Sequence, residues 1–207
     1  MKIEIDLKII LLAILFFLLK KIELYTLFII FIFIHEIMHL LVGMLVGFIP
    51  KRFSFNPLGF SVEFYNYNCR RNKFKKIITY LAGPISNFFM SYLFYKLNIN
   101  EYLKMKIIYT NLLLGVFNLF PILPLDGGKI FKEILNSIIG NKNAIIFMIT
   151  VTKIILFLFS IIYSIAIFKI KNIAIFLILM YMWYLYYLEC KKSKILIRAY
   201  DVIGNIS

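Results

Sequence analysis

This chain has little of what most soluble proteins are built from. Charged residues make up only 16% and hydrophobic residues 62% of its 207 positions. A soluble domain carries about a quarter charged and about half apolar, so an ordinary water-soluble globule is excluded. With a mean hydropathy of +0.89, the composition is that of an integral membrane protein. Cysteine occurs twice, as Cys69 and Cys190. One pair defines no disulfide scaffold, and both lie by basic segments, where reduced thiols on the cytoplasmic side are expected. Internal repeats and low-complexity linkers are absent, which points to a single domain over 1–207. Histidine is as scarce as cysteine: there are two, His35 and His39.

The net charge of +14 would suit nucleic acid, but its distribution argues otherwise. Lys and Arg collect between apolar runs, as in the loops of membrane proteins. Six apolar segments can be drawn, at about 7–20, 22–48, 74–97, 103–120, 143–168 and 171–188. The first is short for a bilayer that needs roughly 20 residues. It ends in Lys20-Lys21 without a small-residue cleavage site, so an uncleaved span is expected rather than a signal peptide. With the N-terminus inside, 16 Lys and Arg fall in inner loops, including 51–76 and 129–142, and seven fall outside. Both termini are therefore expected to be cytoplasmic, in a multi-pass protein of the cell membrane.

The two histidines stand four apart in His35-Glu36-Ile37-Met38-His39, within an apolar run. Shuffling this composition would give His-Glu-x-x-His in roughly a few chains per ten thousand. Residues i and i+4 share a helix face, so both imidazoles can reach one metal ion. Glu36, one residue along, is placed to take a proton from an attacking water. Ionisable groups at membrane depth are costly and mark function. From Leu24 to His35 is roughly 16 Å of helix, about half of a ~30 Å hydrocarbon layer. The pattern predicts a zinc hydrolase with its site inside the membrane, and leaves open which ring nitrogens bind.

Catalytic zinc takes three protein ligands, and no third histidine exists. Among ten acidic residues, Asp126 is distinctive because it follows Pro121 and Pro124 and precedes Gly127-Gly128, where a span must break. Broken backbone at membrane depth lines cavities or is buried in protein. Asp126 is the expected third ligand, against the alternative of a surface turn. Asn118, before the break, has two readings. Its amide can pair with an extended substrate, or with freed carbonyls of its own helix end. The stretch 53–64 reads as a hairpin around Asn56-Pro57-Leu58-Gly59, either a plain cytoplasmic loop or a re-entrant element offering an edge to a peptide.

These residues together resemble the site-2 protease family of intramembrane zinc metalloproteases. The resemblance rests on His35 to His39, on Ala82-Gly83-Pro84-Ile85-Ser86-Asn87, and on Asn118 to Gly128. It is nearest to the stage IV sporulation protein FB subgroup. It implies an all-α membrane protein of about six transmembrane helices, with a short re-entrant β-hairpin after the second. His35, His39 and Asp126 would hold Zn2+, Glu36 would be the catalytic base, and Asn118 and Pro124 would lie beside the substrate. Ala82 to Pro84 and Asn87 would serve close helix packing. The substrate implied is a membrane-associated protein such as a pro-sigma factor in sporulation, with inhibitory membrane partners and no nucleic acid. A C-terminal nucleotide-sensing CBS pair, usual in that subgroup, is not expected here, nor is a PDZ insertion. The competing reading is a membrane metal transporter using the His-Glu-x-x-His helix as a transit site. Transporters commonly show several polar spans and inverted repeats, which this chain lacks.

Overall fold

A computed structural model describes residues 2–5, 22–56, 59–65, 72–170 and 173–204. The expected first span at 7–20 lies outside them. The described elements run β1 (Lys2–Ile5), α1 (Ile22–Leu45), β2 (Ile49–Asn56), β3 (Gly59–Tyr65), α2 (Lys73–Lys96), α3 (Glu101–Asn118), α4 (Asp126–Ile139), α5 (Asn141–Ile170) and α6 (Ile173–Gly204). By length and composition, three of these helical stretches can cross a membrane: Ile22–Leu45, Lys73–Lys96 and Asn141–Ser164. The chain forms two compact units, Met1–Leu119 and Phe120–Ser207.

In the first unit, α1 ends because Gly47 adopts φ +93°. Its N–H bonds the Met44 carbonyl and that of Phe48 bonds the Gly43 carbonyl, the paired bonds of a Schellman cap. The chain then enters a three-stranded sheet in the order β1-β2-β3, with β1 parallel and β3 antiparallel to β2. Neither the sheet's third strand nor its parallel pairing is expected from the sequence. The sheet rests on α1 at Gly43, where an added Cβ would come within 2.5 Å of the Phe64 ring. Phe31, Ile107 and Leu114 form the packed centre of this unit, with Phe94 set edge-on to Phe31 at 6.0 Å. Asn100 caps α3, its Oδ1 accepting from the N–H groups of Tyr102 and Leu103.

In the second unit, residues 120–125 are not helical, as the prolines require. The segment is pinned by its backbone: the Leu123 N–H donates to the buried Thr152 hydroxyl on α5 at 3.0 Å, and Leu125 N–H to the Ile122 carbonyl. Gly128 is obligatory at this bend, since a Cβ there would lie 2.4 Å from the Ile122 carbonyl oxygen. The stretch 129–142, expected as a basic loop, is instead mostly helix α4. Helices α5 and α6 pack together, with Trp183 donating its indole N–H to the Ser160 hydroxyl at 3.0 Å.

Among the described residues, large apolar side chains are exposed while several polar ones are buried. Ile30, Phe89, Leu113, Phe157 and Ile162 are exposed, while Thr79, Ser86, Asn87, Asn111 and Thr152 are buried. Small and hydroxylated residues let membrane helices approach and bond across one another, while large aliphatic side chains meet lipid. Thr152→Val preserves shape but leaves the Leu123 N–H buried without an acceptor. We expect it to cost about 1–3 kcal/mol, read as a lower thermal unfolding midpoint in detergent. An unchanged midpoint would mean that the bend is held by other contacts.

Candidate metal centre

On α1, His35, His39 and Gly43 recur every four residues and are all buried, so one stripe of the helix faces inward. On α2, Thr79, Gly83 and Asn87 form a matching stripe, also buried. The two stripes meet at the histidines. His39 Nδ1 lies 2.6 Å from the Thr79 carbonyl oxygen. A carbonyl only accepts, so Nδ1 carries the proton and Nε2 is the nitrogen with a lone pair to offer. His35 Nε2 lies 3.1 Å from His39 Nε2, and the ring planes are nearly perpendicular.

That separation suits a shared ion. Two Zn–N bonds of ~2.0–2.1 Å at a tetrahedral angle put the nitrogens roughly 3.3 Å apart. Gly83 makes the approach of the helices possible: an added Cβ would fall 2.4 Å from His39 Nε2 and 2.5 Å from His35 Nε2. The expected role of Gly83 in close packing is thus specific, because what it makes room for is the pair of ring nitrogens.

Asp126 opens α4 and is buried, with Lys129 one turn on donating to its Oδ1 at 3.0 Å. A carboxylate in a first helical turn is favoured by the exposed N–H groups and helix dipole. His35 and His39 in the first unit and Asp126 in the second are each buried, and each offers one ligand atom to a metal ion. Nitrogen and carboxylate donors in this number are those of catalytic zinc.

Glu36 is half-buried on α1, next to His35. Asn118 donates its amide N–H to the Leu114 carbonyl at 3.0 Å, so the structure shows the local of its two expected bonds. Pro124 is half-buried in the non-helical segment and its bond to Leu123 is cis. The sequence reading missed Thr79, because the group it supplies is a backbone carbonyl. It also missed Asn87 as a partner of His35, whose Nδ1 lies 2.9 Å from the Asn87 amide. Only the four-residue spacing from Gly83 hinted at that contact.

Comparison with known proteins agrees with this chemistry. Residues 95–162 match the model of Peptidase family M50. A zinc metalloprotease of Methanocaldococcus jannaschii is 39% identical over 70 residues, which is 29% of this chain and 20% of that protein. The chain therefore aligns with about a fifth of that curated relative's length. A solved structure of a site-2 protease from Methanocaldococcus jannaschii superposes with a TM-score of 0.68, at 22% identity, over 92% of this chain and 90% of that one. The fold is that of a site-2 protease. The similarity to Peptidase family M50 extends over residues 95–162.

Gly83→Ala should lower zinc affinity at least about tenfold, the scale on which a ligand's immediate surroundings act, while leaving the helices formed. Competition against a chromophoric chelator measures it, and wild-type affinity in the variant would show that α2 can retreat from the histidines.

Proposed function

We propose that this chain is an intramembrane zinc metalloprotease that hydrolyses a peptide bond in or near the membrane segment of a membrane-associated protein. The observation that carries the reading is the buried approach of His35 Nε2 and His39 Nε2, beside Glu36. His35, His39 and Asp126 hold the ion. Bound there, zinc would supply a water acidified towards a pKa of ~7 and a polarised substrate carbonyl. Glu36 takes the proton of the attacking water and delivers it to the departing amine. Asn118 and Pro124 flank the substrate, and the β2–β3 pair acts as a re-entrant guide whose edge meets the unwound peptide. The whole chain acts as one catalytic domain in the cell membrane, with both termini cytoplasmic. Among substrates, a regulatory precursor such as a pro-sigma factor in sporulation suits the subgroup that the sequence resembles, with inhibitory membrane partners holding the enzyme silent.

Co-expression with a tagged pro-sigma-factor precursor tests this directly, comparing wild type with Glu36→Gln and Asp126→Ala by gel mobility. Wild type should release a shorter product. Glu36→Gln should retain zinc yet lose hydrolysis by about 10²–10⁴-fold, the contribution of a positioned general base. Asp126→Ala should lose both. A zinc-loaded wild type that leaves this precursor intact would remove the substrate and keep the enzyme class. Metal movement across vesicles that persists in Glu36→Gln would instead favour the transporter reading.

A further inference from the structure

Asn87 has no solvent exposure. A buried amide costs free energy unless its polar atoms are paired, and alanine or serine would fill a packing position more cheaply. Its Nδ2 lies 2.9 Å from His35 Nδ1, while its Oδ1 is buried without a donor. The two ends of an amide have the same shape, so their assignment follows from the hydrogen bonds they must make.

Here the histidine decides. If the amide N–H donated to Nδ1, the proton of neutral His35 would sit on Nε2, and a protonated nitrogen cannot ligate. Turning the amide by half a revolution puts Oδ1 against an Nδ1–H. That gives the orphaned oxygen a donor and leaves the Nε2 lone pair directed beside His39 Nε2. The turn needs no movement of backbone.

We infer that Asn87 is a positioning residue for the metal: its Oδ1 accepts from His35 Nδ1–H and so fixes the tautomer and orientation in which Nε2 binds. This rests on the reading of His35 as a ligand. It gives His35 an outer partner equivalent to the one His39 has in the Thr79 carbonyl. Partners of this kind hold the ring in register and raise its basicity.

Zinc affinity, measured by chelator competition on purified protein in detergent, tests the inference through Asn87→Leu, Asn87→Asp and Ser86→Ala. Asn87→Leu keeps the branched shape and removes the acceptor, and it should bind zinc about 10–100-fold more weakly. Asn87→Asp keeps an acceptor and should bind more tightly than Asn87→Leu. Ser86→Ala, which alters the neighbouring packing and not His35, should match wild type. If Asn87 only packs, the order reverses, because leucine is tolerated and a buried carboxylate is not. Zinc binding by Asn87→Leu at wild-type strength overturns the inference. Should neither variant fold, 15N spectra of zinc-loaded wild type still decide: His35 must carry its proton on Nδ1, and a bare Nδ1 overturns it. Wild type that binds no zinc, or His35→Ala that binds it as tightly as wild type, would instead sink the metal reading itself.

Discussion

Everything in the first unit turns on how closely α2 can approach α1. Two imidazoles four residues apart project from one helix whatever lies opposite, but they bind one ion only if their rings are held toward a common point. The holding comes from α2, which can reach them because position 83 has no side chain. A helix with ordinary residues there would stand off by the thickness of a methyl group. The Thr79 carbonyl would then lose its 2.6 Å contact with His39. Helix spacing and ligand orientation are therefore a single variable in this protein.

Within a membrane this arrangement follows from an unusual division of labour. Lipid offers no hydrophobic drive to bring apolar helix faces together, so contact depends on close packing and on polar groups that find partners inside. The stripes 35-39-43 and 79-83-87 supply both, with small residues at Gly43 and Gly83 and polar ones at the other positions. The second unit uses the same materials differently. Its bend at 120–125 exposes backbone groups that a helix would have paired, and the Thr152 hydroxyl and Gly128 accommodate them. Asp126 can open a helix immediately after that bend because the bend is fixed.

The parts legible in the sequence are those with local signatures. His35 and His39 declare themselves by spacing, and the prolines at 121 and 124 announce the break before Asp126. Helix α4 is harder to see, because Lys129, Lys132 and Lys142 look like loop charge although Ile130, Phe131, Ile134 and Ile138 recur at helical intervals. Strand β1 is harder still: four residues pair in parallel with residues fifty positions later, and no local pattern encodes a partner so distant. The role of Asn87 stayed hidden for another reason. Packing and hydrogen bonding predict the same residue at that position, and only the 2.9 Å contact with His35 separates them.

The two histidines are braced by groups of different kinds. His39 leans on a main-chain carbonyl, which every amino acid carries, so drift at position 79 can change the side chain without withdrawing the brace. His35 leans on a side chain, and a single codon change removes it. Sequence variation therefore bears unequally on two ligands that look equivalent, and a lineage losing activity by slow decay would find one of its shortest routes through position 87.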